Sequence, residues 1–408
     1  MKIGQFAKEN QMTIDAIRHY MTLDLILPIK QSGQFFFDDK CQKDLESVLE
    51  LKQMGFSLSE IQSLMLIQRM AKHTHYEREH FFQAFFERRL NWIDEERRRL
   101  KVMKKTIEAY LKSRDVVTGS KTVEGIPLEA LNVLCCPKCQ SSFNIESGEL
   151  SNNHVVKGDL SCGCGERYTI DSGILMKKED AKVSEGLNLV EDENLTAHLL
   201  TYIQETHYSY LNKIVHMFEW VDKSVEFNYK VALELGTGSG FFLRYFLDKF
   251  DPNTLYIAVD HDYERLMNLK SALDSIPKKP KILYLSCDFN EMPICQQSVD
   301  FLIDYSGSSN YGFEHKEFLF ENTTKYLRPH CFFISSFILF KNFVYGSRIE
   351  SSLRHQFTEK NVLEALEREH FKIEGMSLTD AITKGGRFED FFLKGETIYG
   401  LTAYGYWK

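Results

Sequence analysis

The 408-residue sequence predicts a multidomain protein that combines an α-helical part with an α/β part. Three observations lead to this fold class. Residues 1–114 carry apolar side chains at helical spacing, two close cysteine pairs lie between residues 136 and 164, and a strand, glycine-loop and helix pattern begins at residue 231. A chain two to three times as long as a typical domain of about 150 residues is expected to fold as at least three units.

The composition excludes several classes of protein. Hydrophobic residues make up 43% of the chain and charged residues 26%, which argues against wholesale disorder. The longest strongly apolar run, residues 331–340, is far shorter than the ~20 residues that cross a membrane, and the N-terminus has no secretion signal. We therefore expect a soluble, cytoplasmic protein with no membrane partner.

Charge is distributed unevenly along the chain. Residues 1–115 contain 20 Lys and Arg against 17 Asp and Glu, a net charge of +3, whereas the whole chain has a net charge of -8. The remainder is therefore strongly acidic. Only the N-terminal part is expected to approach a polyanion such as DNA readily.

Residues 1–75 show the pattern of a helix-turn-helix followed by a hairpin. A short amphipathic helix is predicted from Ile3, and Thr13 is placed to cap a second helix. The turn at Gly33, followed by aromatic residues, predicts a two-stranded wing. Ser57 and Glu60 have the spacing of a capping box at the start of a further helix.

Residues 76–114 are predicted to form one long helix. Its apolar side chains recur at spacings of three, four or seven residues: Phe82, Phe86, Leu90, Ile93, Leu100, Met103, Ile107 and Leu111. Such a stripe predicts an antiparallel coiled coil between two copies of the chain, because a helix of this length extends beyond a small winged domain. Packing of the stripe on its own chain is the alternative.

These residues resemble the DNA-binding domain of MerR-type transcription regulators over about seventy residues. The shared features are Ile3-Gly4, the Thr13 cap, Ile17 to Tyr20, Leu27-Pro28, Gly33 and Gly55-Phe56-Ser57. The resemblance implies a dimer on double-stranded promoter DNA, with recognition helices in successive major grooves and wings on the flanking phosphates. The DNA-binding residues that it implies are Thr13, Arg18, His19, Tyr20 and Lys30.

Two features qualify this DNA-binding surface. Tyr20 fits a place in the hydrophobic core as well as a place on the DNA. Phe35 stands two residues after Gly33, where the family usually carries an arginine, so the wing is expected to bind phosphate more weakly.

A linker rich in Thr, Ser and Gly, residues 115–125, leads to a segment rich in cysteine. Two pairs lie on turns that contain Gly or Pro, and their four thiolates can bind one tetrahedral Zn²⁺: Cys136, Cys139, Cys162 and Cys164. The second pair is spaced more tightly than the usual CxxC, so Cys135 and His154 stay open as replacement ligands. A leaderless chain with nine cysteines is not expected to form a disulfide framework. Residues 136–176 resemble the zinc ribbon of bacterial ribosomal-RNA guanine methyltransferases over about forty residues, and the predicted zinc ribbon spans residues 126–178.

In residues 185–408, three predicted strands end in residues that suit a nucleotide. A glycine loop follows the strand 231–235, Asp260 ends the next strand, and Asp288 and Phe289 follow the third. The carboxyl ends of parallel strands meet at one edge of a doubly wound sheet. The loop has the spacing Glu-x-Gly-x-Gly-x-Gly, which differs from the GxGxxG of dinucleotide-binding loops.

Together these strand ends resemble the Rossmann-like fold of class I S-adenosylmethionine-dependent methyltransferases. The resemblance implies a methionine-side loop of Glu234, Gly236, Gly238 and Gly240. It also implies Asp260 on the ribose hydroxyls, Asp288 on the adenine amine and Phe289 on the adenine face. Methyl transfer from a sulfonium needs alignment more than covalent help. The catalytic candidates are therefore residues near the fourth strand end and in the preceding helices: Asp304, Tyr305 and His207.

The sequence is compatible with functions of two classes. In the first, a MerR-like regulator carries a methyltransferase domain that methylates or senses a small molecule and couples this to promoter distortion. In the second, the chain is an RNA methyltransferase of the ribosomal-RNA guanine type, and the winged domain serves autoregulation or dimerisation. The acidic balance of residues 116–408 argues against RNA. A catalytically silent S-adenosylmethionine sensor is a further alternative.

Overall fold

The computed structural model describes residues 1–70, 75–113, 124–180, 200–305 and 307–408, and for residues 75–79 and 82 it describes the backbone alone. The chain divides into two compact units, Met1–Thr118 and Gly119–Lys408. Most of the predicted linker, residues 115–123, lies outside the described residues. The same holds for residues 185–199 at the start of the predicted methyltransferase domain and for the side chain of Phe82 in the apolar stripe.

The first unit consists of helices and one small hairpin. Its helices are α1 (Ile3–Glu9), α2 (Ile14–Thr22), α3 (Asp39–Gln53), α4 (Leu58–Met70) and α5 (His75–Ser113). Strands β1 (Ile29–Gln31) and β2 (Gln34–Phe36) pair antiparallel and form the predicted wing. The hydrophobic core of this unit includes Phe6, Ile17, Leu45 and Ile61, all fully buried.

Local hydrogen bonds confirm the helix starts that the sequence predicts. The Thr13 hydroxyl accepts a hydrogen bond from the Ala16 N–H at 3.2 Å, which caps α2. At the start of α4, the Ser57 N–H donates to the Glu60 carboxylate at 2.7 Å and the Ser57 hydroxyl accepts from the Glu60 N–H at 3.3 Å. These bonds satisfy N–H groups that have no partner within a helix.

The long helix α5 packs on the first unit only near its beginning. The centroids of the Phe85 and Phe86 rings lie 5.7 and 5.4 Å from the centroid of the Phe56 ring. The beginning of α5 therefore packs against the hydrophobic core of the first unit. Further along, Leu100, Ile107 and Leu111 are 55%, 58% and 64% exposed. The beginning of the stripe therefore packs on its own chain, and the coiled coil between two copies stays a prediction for the exposed part. Within the described ranges, no helix combines the length and the hydrophobicity of a membrane-spanning segment.

The second unit is built on one twelve-stranded sheet. Its strands are β3 (Ile126–Pro127), β4 (Asn144–Ser151), β5 (His154–Ser161), β6 (Arg167–Asp171), β7 (Ile174–Lys177), β8 (Val231–Leu235), β9 (Leu255–Asp260), β10 (Lys281–Ser286), β11 (Val299–Asp304), β12 (Leu327–Asn342), β13 (Phe371–Leu378) and β14 (Thr397–Trp407). The helices that lie wholly within its described residues are α6 (Tyr208–Ser224), α7 (Phe241–Tyr245), α8 (Tyr263–Leu273), α9 (Gly307–Tyr311), α10 (Leu319–Thr323) and α11 (Glu359–Arg368).

The strand order shows the doubly wound arrangement that the sequence predicts. Across the sheet the order is β13-β14-β12-β11-β8-β9-β10-β7-β6-β5-β3, and β4 pairs with β5. The strands from β12 to β7 in this order run parallel, and β14 is antiparallel to β12. Strand β8 lies between β9 and β11, so the chain order reverses there. Ligands of doubly wound sheets bind at the carboxyl ends of the strands beside such a reversal.

The cysteine-bearing segment is continuous with this sheet. Strand β7 pairs parallel with β10, from Ile174 opposite Tyr284 to Met176 opposite Ser286, and β6, β5 and β4 continue the sheet by antiparallel pairing. The first three residues of β7 are apolar and buried, as a strand covered on both faces requires. The sequence had indicated a ribbon with a domain of its own and did not reveal this pairing.

Candidate functional site

The glycine loop after β8 lies tightly against its neighbours. Gly240 has a φ of +72°, and a Cβ there would lie 2.3 Å from a Leu269 methyl group. Gly236 has a φ of +70°, and a Cβ would lie 3.1 Å from the Gly307 Cα and 3.6 Å from the Phe289 ring. The loop therefore needs glycine for both its backbone conformation and its close contacts.

Two buried carboxyl groups support this loop from β8 and β9. One Asp260 oxygen accepts a hydrogen bond from the Gly238 N–H at 2.8 Å, and the other accepts from the Asp262 N–H at 2.9 Å. The Glu234 carboxyl group accepts from the Tyr256 hydroxyl at 2.7 Å. Burial raises the pKa of Glu234 to about 8, because the charged form is poorly solvated there. Asp260 thus ties the end of β9 to the glycine loop.

The end of β10 brings an aromatic ring to the same place. The Asp288 carboxylate accepts from the Asn290 N–H at 2.7 Å and so caps the 3₁₀ turn Phe289–Glu291. The half-buried Phe289 ring reaches the glycine loop at Gly236. The structure therefore brings together the three predicted strand ends at the carboxyl edge of the sheet.

The three catalytic candidates have different surroundings. The buried Asp304 carboxylate accepts from the N–H and the hydroxyl of Ser308, at 2.8 and 2.5 Å, and burial raises the pKa of Asp304 to about 6. The His207 Nδ1 accepts from the Ser209 N–H at 3.2 Å, so His207 caps α6. The Asp304 carboxylate and the His207 imidazole therefore each accept a hydrogen bond from a backbone N–H group. Tyr305 lines a cavity.

This cavity, of about 70 Å³, lies beside the glycine loop. Its lining includes four aromatic rings, a lysine and a serine: Tyr202, Tyr210, Phe241, Tyr305, Lys213 and Ser336. Phe241 directly follows the glycine loop, and Tyr305 directly follows β11. Sequence reasoning missed this cavity because its lining comes from four separate stretches of the chain. The density of tyrosines between residues 202 and 210 was the one available signal.

The four predicted zinc ligands lie together. Their Sγ atoms are all within 4.8 Å of one another, and the distances are 3.4 Å for Cys136–Cys164 and 3.3 Å for Cys139–Cys162. A tetrahedral zinc with bonds of about 2.3 Å places its sulfur ligands about 3.8 Å apart. The thiol cluster is therefore of the right size for one Zn²⁺.

The two replacement ligands do not join this cluster. Cys135 forms a disulfide with Cys295, because the antiparallel bridge between Leu134 and Ile294 brings the two segments side by side. The chain thus contains one disulfide among its described residues, where the sequence had predicted no disulfide framework. His154 Nδ1 instead forms a hydrogen bond with the Asn152 carbonyl group at 2.7 Å, which a turn of the β4–β5 hairpin brings close.

The predicted DNA-binding residues occupy the first unit as follows. Arg18 and His19 are exposed on α2, and Lys30 is exposed on the wing. Tyr20 is a correction: it is 4% exposed in the core, and its hydroxyl accepts a hydrogen bond from Lys52 at 3.1 Å. Its ring therefore has no surface to offer to DNA. Thr13 contributes its hydroxyl to the helix cap.

Two family models match the sequence of the first unit. Residues 1–66 match the model of the MerR HTH family regulatory protein, and residues 43–110 match the model described as MerR, DNA binding. No curated protein matches the chain as a relative.

The solved structures similar to the chain include methyltransferases and a transcription activator. A SAM-dependent methyltransferase from Methanosarcina mazei is 12% identical, with 46% of this chain and 96% of that chain covered and a TM-score of 0.34. A SAM-dependent methyltransferase from Aquifex aeolicus is 14% identical, with 54% and 100% covered and a TM-score of 0.33. The N-terminus of MtaN, the Bacillus subtilis multidrug transporter activator, is 23% identical, with 27% and 97% covered and a TM-score of 0.22. By the family models, residues 1–110 are similar in sequence to MerR-type DNA-binding regulators.

Proposed function

We propose that this chain is a MerR-type DNA-binding regulator whose second unit is an S-adenosylmethionine-dependent methyltransferase that acts on a small molecule. The family matches over residues 1–110 support the regulator. The methyltransferase function is inferred from one observation. The glycine loop, Asp260 and Phe289 meet at the carboxyl edge of the sheet, beside the chain reversal at β8.

The residues at this edge fit S-adenosylmethionine. A Cβ at Gly236 would fill the narrow space between the loop, Gly307 and the Phe289 ring, which indicates a cradle for a ligand. Each Asp260 oxygen accepts one backbone hydrogen bond and so has a further lone pair for a ribose hydroxyl. Asp288 and Phe289 would hold the adenine. When bound, S-adenosylmethionine supplies a methyl group on a positively charged sulfur.

The same proposal assigns Zn²⁺ to the four-cysteine cluster. The role would be structural, because four thiolates leave zinc no open position for a substrate. The zinc would join the turn at Cys136 and Cys139 to the turn at Cys162 and Cys164, which follows β5.

We further propose a homodimer through α5 on double-stranded promoter DNA. The exposed apolar side chains of α5, including Leu100, Ile107 and Leu111, support a helix that packs against a second copy. Arg18 and Lys30 would contact DNA phosphates or bases. Binding of cofactor and acceptor to the second unit would then change the conformation of the promoter.

Calorimetry on the full chain tests the cofactor site. S-adenosylmethionine and S-adenosylhomocysteine should each bind at about one site per chain, and Asp260→Asn should weaken binding at least about tenfold, as loss of a hydrogen bond to a charged group does. Asp248→Asn, an exposed carboxylate after α7, is the matched control and should bind as wild type. Folded wild-type protein that takes up neither compound would refute the proposal.

The acceptor class is tested by transfer of labelled methyl groups. Full-length protein is incubated with labelled S-adenosylmethionine and with either total RNA or a small-molecule extract. Label in the small-molecule fraction supports the proposal. Label in the RNA would favour the ribosomal-RNA type of methyltransferase instead, and uptake of the cofactor without any transfer would favour a silent sensor.

A further inference from the structure

The aromatic cavity next to the glycine loop contains a buried lysine. Lys213 of α6 is 6% exposed and lines the cavity, with its Nζ 4.2 Å from the centroid of the Tyr210 ring. Among the described residues, no carboxylate forms an ion pair with this amine, and the contact found for it is with the face of the Tyr210 ring. A buried lysine that contacts an aromatic ring and no carboxylate is costly to keep charged, which makes Lys213 a candidate for function.

We propose that this cavity binds the methyl acceptor, that the acceptor is an aromatic compound with a weakly acidic hydroxyl group, and that Lys213 takes the proton of that hydroxyl. The inference rests on the proposed methyltransferase function, since a methyl acceptor can react in this cavity only if the site beside it holds the methyl donor.

The lining of the cavity favours a flat, neutral or anionic molecule. Four aromatic rings, from Tyr202, Tyr210, Phe241 and Tyr305, offer π-faces and edges on which an aromatic acceptor can pack. Such rings also attract cations, and a cage of rings alone would suit a quaternary amine. An ammonium group on Lys213 within the same cavity repels a cationic acceptor and attracts a phenolate.

The protonation states of the side chains that line the cavity favour Lys213 as the base. Burial lowers the pKa of Lys213 to about 8, so a useful fraction is neutral near physiological pH. Burial raises the pKa of Tyr202, of Tyr210 and of Tyr305, so the hydroxyl groups of the cavity stay protonated. Among the described groups that line the cavity, Lys213 is therefore the one able to accept a proton near neutral pH.

Glu389 is the charged group that acts on Lys213 from a neighbouring segment. Its negative charge opposes the fall in the pKa of Lys213. One oxygen of Glu389 accepts from the His207 and Gly386 N–H groups at 3.0 and 2.7 Å, while the other is buried and has no partner among the described residues. Glu389 thus holds the loop 386–389 against the start of α6. Its charge also affects the pKa of Lys213 without a direct contact between the two side chains.

The proposed step is a proton transfer from the hydroxyl group of the acceptor to the amine of Lys213. The O–H bond of the acceptor breaks, and the proton forms a bond with the lone pair of the neutral Lys213 amine. The acceptor oxygen keeps the electron pair and becomes a phenolate beside the new ammonium group. This oxygen is then the nucleophile that a methyl transferase requires, and the lysine later returns its proton to solvent.

Binding of 4-nitrophenol to the full chain tests the inference without turnover, because its anion absorbs visible light and the neutral phenol does not. With S-adenosylhomocysteine present, we expect the bound probe to be the anion at a pH where the free probe is partly neutral. Lys213→Met should weaken binding about tenfold or more and abolish the anion spectrum. Lys223→Met, an exposed lysine on the same helix, is the control and should behave as wild type.

The outcomes separate this inference from the proposed function. Calorimetry with S-adenosylhomocysteine on Lys213→Met shows whether the variant still folds and binds at the neighbouring site. Wild-type protein that binds this compound but not nitrophenol, or that binds phenyltrimethylammonium more tightly than nitrophenol, overturns the acceptor class and leaves the methyltransferase intact. Unchanged nitrophenol binding by Lys213→Met overturns the role of the lysine. Wild-type protein that binds none of these compounds overturns both proposals.

Discussion

Glu234→Gln should remove a pH-dependent loss in the free energy of unfolding of the second unit. Glu234 is 2% exposed at the end of β8 and accepts a hydrogen bond from the Tyr256 hydroxyl. Burial raises its pKa from 4.5 to about 8 in the folded chain. Glutamine has nearly the same shape and can accept the same hydrogen bond, but it does not ionise.

The sign of the effect follows from proton binding. Between pH 4.5 and 8 the folded chain keeps the proton on Glu234 while the unfolded chain loses it, so the free energy of unfolding falls as pH rises. Each pH unit in this range costs about 1.4 kcal/mol. From pH 5.5 to 7.5 the wild type should therefore lose about 2 to 3 kcal/mol relative to Glu234→Gln, whose residue 234 has no such titration.

Urea denaturation at the two pH values measures this difference. Both proteins carry Trp92→Phe, so that the remaining tryptophans, Trp220 and Trp407, report the second unit alone. Glu146→Gln, on the exposed hairpin strand β4, is the control and should leave the pH dependence of the wild type unchanged. A stability difference between wild type and Glu234→Gln that is the same at both pH values would refute the reasoning.

Three further predictions concern the zinc cluster, the glycine loop and the DNA-binding surface. Elemental analysis should find about one zinc ion per chain in wild type and clearly less in Cys136→Ser; equal contents would contradict the site. Gly240→Ala should lower the free energy of unfolding by about 2 kcal/mol or more, since its Cβ would lie 2.3 Å from a leucine methyl group. Gly238→Ala, with no atom nearer than 3.9 Å, should lower it by about 1 kcal/mol, and equal losses in urea titrations would argue against the packing. Arg18→Ala should weaken binding to selected duplex DNA and reduce the slope of log affinity against log salt by about one, whereas Lys223→Ala on the second unit should change neither.

The features that depend on neighbouring residues could be predicted from the amino-acid sequence alone. The Thr13 cap, the Ser57 and Glu60 capping box and the wing at Gly33 all form as predicted, because each depends on hydrogen bonds or backbone angles within a few residues. The glycine loop and Asp260 were equally readable, since a doubly wound sheet brings the carboxyl ends of its parallel strands to one edge.

The features that join distant segments became apparent in the folded chain and not before. The pairing of β7 with β10, the Cys135–Cys295 disulfide and the cavity around Lys213 each unite residues that are far apart in the chain. Tyr20 could face DNA or the core by its position in the helix, and the packing around it decided for the core. Local spacing limits which face a side chain occupies, but the identity of the partner on that face depends on long-range packing, which no short stretch of sequence encodes.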